Sequence, residues 1–535
     1  MTRKLLKAST AAAACAVTAV TLAACGTGAD GGGDGSSADP SYVSGGTFTV
    51  ALNDDPGNLS PLTGVSLVQR ALVPYAYESL VYTTSDGEAL PWLAESWTQT
   101  PTSVTYTLKD GVTCSDGSEF TAETAAHNIA YQADGDNGTF WHNSNITEDM
   151  TASADGNTLT ITSTTKNPFL LTMTGEVEMV CQKGLDDPGS LKDSTDGTAL
   201  FHLTSLKAGN EYTYTKRTDY TWGPQDVTSE TEGLPDTIVG KVVTDESTAA
   251  NLLLSGGLNA AGVAGTDRDR LESAGLESQG VPNPIGEMLF NERSDRPTAD
   301  ERVRQALTVA LDRASVGDLV TNGHVEEMTS LVVQSPFLCV AGGPKWTLPD
   351  PDAERAGELL DEAGYTVGSD GMRAKDGTPL TIRFLYDAGT PSHAAAAEEV
   401  QAEWKEIGVD TELVAEDPTG WSTDLYQSYD WDTGFIQLAP GTPVVLSLFF
   451  LGDTSEQGGY NFMDVQNTAY NDLATQAMSA PDADAACDLW QSAEKELVDR
   501  VDVYPLAQTT SPTFFTGATA DVPWGIAPTT IRMLG

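Results

Sequence analysis

The chain has 535 residues, and its 77 acidic against 28 basic side chains leave a net charge of −49. A body this negative is repelled by nucleic acid and by anionic lipid, which removes both as partners for its folded surface. With so many acids, Asp/Glu pairs arise at any spacing by chance, so paired carboxylates point to no chemistry here. The length suggests about three domains.

At the N-terminus Arg3, Lys4 and Lys7 precede an uncharged apolar stretch from Ala11 to Ala24. A basic head, an apolar centre and small residues at the end read as a secretory signal. The apolar stretch is shorter than the roughly 20 residues a membrane-spanning helix needs, and no later run approaches that length. The stretch ends Leu22-Ala23-Ala24-Cys25. A cysteine directly after two alanines resembles a bacterial lipobox. That resemblance implies a signal peptide at 1–24 and acylation (palmitate) of Cys25, the first residue of the mature protein. An ordinary cleaved signal is the alternative. Residues 26–40 carry no large apolar side chain, so 25–44 is expected to be a flexible tether. Gly26-Thr27-Gly28-Ala29-Asp30-Gly31 matches a dinucleotide fingerprint in letters only, because no strand precedes it and no helix follows.

Cys15 leaves with the signal, so the body keeps Cys114, Cys181, Cys339 and Cys487. An exported protein can hold these as disulfides, in any of three connectivities. The pairs 114–181 and 339–487 are favoured because each stays within one half of the chain; buried free thiols are the alternative. No pair has CxxC spacing, which argues against a redox or zinc role.

Along the body, 46–52 reads as a buried strand. Val104–Leu108 alternates and is followed by Asp110-Gly111, and a turn is also expected at Asp86-Gly87. A helix is expected near Ala122–Tyr131, and a hairpin at Thr151–Thr162 turning on Asp155-Gly156-Asn157. Thr298-Ala299-Asp300-Glu301 reads as a capping box with threonine as the cap. Asp350-Pro351 reads as another helix start, with Gly364 placed to end that helix. A strand at Leu380–Tyr386, a helix at Ser392–Ile407 and a strand at Val409–Val414 predict a right-handed crossover in a partly parallel sheet. The second half is therefore α/β and the first mixed α+β.

Six segments in this order resemble the extracytoplasmic solute-binding proteins of family 5, the peptide and nickel class that serves ABC importers. They are Gly45-Gly46-Thr47-Phe48-Thr49-Val50, then Tyr77–Trp97 with its Leu93-Ala94-Glu95-Ser96-Trp97, and Tyr106–Glu123. Leu252–Val263, Val303–Arg313 and Asp350–Tyr365 complete the set. The resemblance implies a two-lobed, periplasmic-binding-protein-like α/β fold (class II, cluster C) with a subdomain inserted in the N-terminal lobe. Lobe I is then expected at 45–283 with the insert at about 78–195, lobe II at 284–505, and a return to lobe I at 506–535. Crossings between lobes are expected near Gly286–Ser294 and Tyr504–Pro512.

The implied activity is capture of an oligopeptide or similar small polar solute in the interlobe cleft and delivery to permease subunits. The protein is expected to be a monomer, lipid-anchored on the outer face of the bacterial cytoplasmic membrane, with no cofactor and no nucleic acid partner. Candidate cleft residues are Phe140, Trp141, His142, Trp421, Phe435, Ile436, Gln437, Tyr460 and Asn461. Peptide binders of the family often place an aspartate where Leu438 falls here, which argues against free-amine dipeptides unless Asp430 or Asp432 takes the role. A ligand sensor without transport and a nickel-chelate or oligosaccharide binder are the alternatives. The five histidines, His127, His142, His202, His324 and His393, form no metal motif. Ser255-Gly256-Gly257 lacks a nucleophile elbow and no HExxH occurs, so catalysis is not expected.

Overall fold

The computed structural model describes residues 41–535 except 65, 85–87, 335 and 524. The expected signal peptide, Cys25, the tether as far as residue 40 and the Asp86-Gly87 turn lie outside the described residues. Residues 41–44 are not tether. The amide of Val43 donates to Met533 O at 2.9 Å, and that of Gly535 to Ser41 O at 3.0 Å. Composition weighs side chains and misses such backbone pairing.

Two sheets organise the body. In the first, Phe48, Val50 and Leu52 point inward from Thr47–Leu52 because alternation places every second side chain on one face. That strand pairs in parallel with Thr237–Val242 and with Ala260–Gly262. Glu211–Lys216 and Phe201–Lys207 extend one edge, Thr509–Phe515 and Glu277–Asn283 the other. The second sheet runs Asp410–Glu416, Thr381–Asp387, Thr433–Phe435, Glu287–Phe290, Val503–Pro505. Its first two strands are parallel and joined by the helix Pro391–Glu406, as the sequence predicts. A four-stranded antiparallel sheet (Ala94–Thr100, Ser103–Leu108, Thr158–Thr162, Thr151–Asp155) shares one core with the first sheet. Phe169 and Met173, between the inserted sheet and lobe I, instead join the apolar cluster of lobe II. The lobes therefore touch across their divide.

Two helix starts differ from expectation. Asp300, not Thr298, caps Glu301–Val309 by accepting from Arg302 N, while the buried Thr298 hydroxyl donates to Asn291 O. Asp352 caps Ala353–Glu362 through Arg355 N, and Pro351 stands before the cap. In both cases an aspartate nearer the helix takes the cap. Gly364 follows that helix at φ +92°. The disulfides are Cys114–Cys181 and Cys339–Cys487.

The chain crosses between the two sheets at 284–286 and again at 506–508. The first crossing begins two residues ahead of the expected Gly286–Ser294, because Glu287 already pairs inside the second sheet. Gly286 N donates to Ala507 O at 2.9 Å, so the crossings touch each other. A Cβ at Gly286 would stand 2.9 Å from that same oxygen and 3.1 Å from Ala507 N. Gly286→Val is therefore expected to push the crossings apart and cost about 1–3 kcal/mol, measured by urea unfolding; an unchanged midpoint would show that the crossings have slack.

Candidate functional site

A cleft of about 440 Å³ lies where the two lobes meet. One wall comes from lobe I and its insert: Arg70, Tyr82, Trp92, Phe140, Trp141, Glu176 and Glu178, closed by Pro523 and residues 525–529. The facing wall comes from lobe II: Gln334, Pro336, Ala439, Pro440, Gly441, Thr442 and Val445. Pro440 O accepts from Val333 N and Gln334 N, which ties the two lobe II loops into one surface. Glu287, next to the first crossing, supports that surface from behind: its carboxylate accepts from Leu438 N and its own carbonyl from Ile436 N. Burial pushes Glu287 up to about 8.

The insert wall is aromatic and charged. The Arg70 guanidinium sits over Phe140, its carbon 4.0 Å from the ring centroid, and 2.5 Å from Glu178 Oε1. Trp141 Nε1 donates to the other Glu178 oxygen at 2.6 Å. One carboxylate thus orients an arginine and an indole, and cation–π contact with Phe140 adds to the arrangement. Trp92 meets Tyr82 edge to face at 5.7 Å between centroids. Behind it the buried Glu78 accepts from Trp92 Nε1 (3.1 Å), Tyr220 OH, Trp222 Nε1 (3.0 Å) and Thr198 OH (2.8 Å). Burial pushes Glu78 up to about 7 despite these four donors. Glu176 pairs with no cation among the described residues. Burial raises it to about 7, with Glu178 adding to the shift and Thr83 opposing it.

Of the nine residues proposed from sequence, Phe140 and Trp141 line the cleft. The other seven stand outside its lining. His142 Nδ1 meets Gln132 O at 3.0 Å. Phe435 is buried against Phe384 and His393, and Ile436 lies in the lobe II core. Gln437 is exposed. Trp421 packs beside the lobe II core. Tyr460 is exposed and meets Phe449, while Asn461 is buried and spends its side chain on Val465. The segment 435–438 supports the wall, which starts one residue later at Ala439.

Leu438 is likewise buried, so its identity sets no rule about a ligand's amine. Asp430 pairs with Arg296 and Arg383, and Asp432 accepts from Arg383 N; neither lines the cleft. The cleft carboxylate without a cationic partner among the described residues is Glu176, on the opposite wall. The residues missed were Arg70, Tyr82, Trp92, Glu176 and Glu178. Glu176 and Glu178 flank the buried Val177 just after the helix Leu170–Gly175, and both line the cleft.

Among the described residues one cluster could hold a cation: Asp269, Glu272 and His324. It lies outside the cleft lining. His324 Nε2 is 3.0 Å from Asp269, while Glu272 is already engaged by Arg268.

Residues 88–460 match the model of bacterial extracellular solute-binding proteins, family 5 (middle region). The nickel-binding periplasmic protein of Escherichia coli K12 is 27% identical over 383 residues, covering 68% of this chain and 70% of that relative. The oligopeptide-binding protein OppA of Bacillus subtilis 168 is 23% identical and covers 91% of each chain. Among solved structures, a substrate-binding protein from Microbacterium hydrocarbonoxydans complexed with 4-hydroxybenzoate hydrazide superposes with TM-score 0.69 at 26% identity. That match covers 91% of this chain and 99% of the other. NikA from Brucella suis, in complex with Fe(III)-EDTA, reaches TM-score 0.77 at 21% identity, covering 91% of this chain and all of the other.

Proposed function

Because this chain belongs to family 5 of the bacterial extracellular solute-binding proteins, a family that binds cargo for ABC transporters and catalyses nothing, we propose that it captures a short peptide or similar small polar solute by closing its lobes. It then hands that solute to a membrane permease while held to the outer face of the membrane through lipidated Cys25. The observation that carries this reading is the cleft itself, built from both lobes, which are joined by two crossings that touch each other. A ligand that contacts both walls favours the closed form by its differential affinity for that form, and a permease can read the resulting shape.

The cleft's 440 Å³ sits at the lower end of small-molecule sites, about 300–1,000 Å³. It suits a short peptide better than a long one. Its five aromatic side chains agree with the aromatic hydrazide bound by the Microbacterium protein. Among the described lining residues there is no histidine or cysteine, which favours an organic solute over a directly ligated metal.

A thermal-shift screen of short peptides, oligosaccharides and nickel chelates tests the reading. A ligand at about 100 times its dissociation constant adds roughly 2.7 kcal/mol of stability. Short peptides are expected to raise the melting temperature. A rise with saccharides or nickel chelates alone would contradict the proposal.

A further inference from the structure

The lobe I wall of the cleft holds three charged side chains, and two of them are already paired. Arg70 is nine-tenths buried and engaged by Glu178, by Pro61 O at 3.1 Å and by the Phe140 ring. Glu178 is engaged by Arg70 and by Trp141 Nε1. The third, Glu176, pairs with no cation among the described residues and is half-buried at the cleft surface. Its backbone is fixed: Glu176 N donates to Thr172 O, and at Gly175 beside it an added Cβ would stand 2.7 Å from Val81 Cγ2. The carboxylate therefore cannot retreat from the cleft by a shift of its own segment. The described residues of the facing lobe II wall bring no charge.

From this arrangement we infer that the cleft selects cationic cargo, with Glu176 as the group that receives a ligand ammonium, α-amino or side-chain, beside the Tyr82, Trp92, Phe140 and Trp141 rings. The inference rests on the proposed function and names the class of solute for that same site. Three physical reasons support it. A carboxylate in a partly desolvated cleft recovers its lost hydration by meeting a cation. Aromatic faces attract cations as well. An anionic ligand would instead meet an unpaired carboxylate while the one arginine is already neutralised, which disfavours anions.

The charged and titratable groups around Glu176 are Glu178 on its own segment, Arg70 across from it, and Tyr106 and Tyr82 on neighbouring strands. An empty site holds Glu176 near the midpoint of its titration at neutral pH, since burial raises it to about 7. A ligand with a permanent positive charge binds the ionised form, so its affinity should grow about tenfold from pH 6 to pH 8.

The test uses four forms of one aromatic tripeptide, amidated at its C-terminus so that no form carries a carboxylate, with the α-amino group free or acetylated and with lysine or norleucine at one position. A fifth form is acetylated and carries trimethyl-lysine. A sixth probe is phenethyltrimethylammonium. Binding is measured by calorimetry on the full mature protein and on Glu176→Gln. The best cationic tripeptide is expected to bind at least tenfold tighter than the acetylated norleucine form. Glu176→Gln should erase that preference, bringing the cationic and neutral forms within about twofold of each other. The trimethyl-lysine form should show the tenfold pH effect on the unsubstituted protein, a readout that does not depend on how the variant folds.

Equal binding of charged and neutral tripeptides would overturn the inference and leave the peptide reading standing. Binding of phenethyltrimethylammonium with no tripeptide bound would do the reverse. Binding of none of these probes would overturn both.

Discussion

Glu78→Ala is expected to lower the unfolding free energy by about 3–5 kcal/mol and to weaken cargo binding, although Glu78 does not touch the cleft. The carboxylate is 1% exposed and accepts from two indoles, a phenol and a hydroxyl. Truncation takes the acceptor from three buried donors and from the partly buried Trp92 indole, which keeps only a 3.5 Å contact to Tyr220 OH, and each buried loss costs about 1–3 kcal/mol before the site relaxes. Trp92 then loses the bond that fixes its ring beside Tyr82 in the cleft wall. Glu78→Gln should cost less, because an amide keeps one acceptor oxygen but turns its nitrogen toward two donors.

The pH dependence separates this account from simple loss of packing. Burial raises Glu78 from an ordinary 4.5 to about 7 in the folded protein. The group's contribution to stability is complete below pH 4.5 and is lost progressively as pH rises through about 7. The penalty of Glu78→Ala, measured by urea unfolding, should therefore be larger at pH 5 than at pH 8. Equal penalties at the two pH values would mean that Glu78 is not raised by burial.

Removing the Cys339–Cys487 bridge, with both residues replaced by alanine, is the second large effect. The bridge spans 148 residues, and chain-entropy arguments give about 2–5 kcal/mol for such a loop. It also fastens the loop that carries Gln334 and Pro336 to the cleft against the helix Ala483–Asp499. Phe337 and Cys339 in that loop hold left-handed backbones, φ 51° and 67°, each a strained choice for a side-chain-bearing residue. Gln491 helps by donating to Cys339 O and Ala341 O. Without the sulfur link the loop should relax, lowering both stability and cargo affinity. Replacing Cys114 and Cys181, both buried in the lobe I core and spanning 67 residues, should lower stability with little change in affinity. If both pairs affect binding equally, the loop is not the reason.

The fold was legible because periodicity and turn residues are local. The strand–helix–strand of 381–416, the hairpin turning on Gly156 and the glycine ending at Gly364 all follow from neighbours in sequence. Helix starts were read less well, since several acids and hydroxyls compete for each cap and only three-dimensional position decides between Thr298 and Asp300. The cleft was legible at Phe140-Trp141, where two aromatics stand together in a polar loop. It was illegible at Glu176 and Glu178. Among 77 acids nothing local marks a carboxylate whose partner, Arg70, lies over a hundred residues away. Phe435 and Ile436 misled for a related reason: an aromatic near a cleft is as easily its foundation as its lining, and burial separates the two.

The most direct test of lobe closure is small-angle scattering on the mature protein without cargo and then with the tightest peptide from the screen. Here Phe169 and Met173 join the lobe II core, so the structure shows the lobes in contact. The cargo-free protein is expected to have a larger radius of gyration than this structure, and saturation with peptide should bring it down to match. An identical scattering curve in both states, with binding verified in the same sample, would contradict closure as the mode of capture.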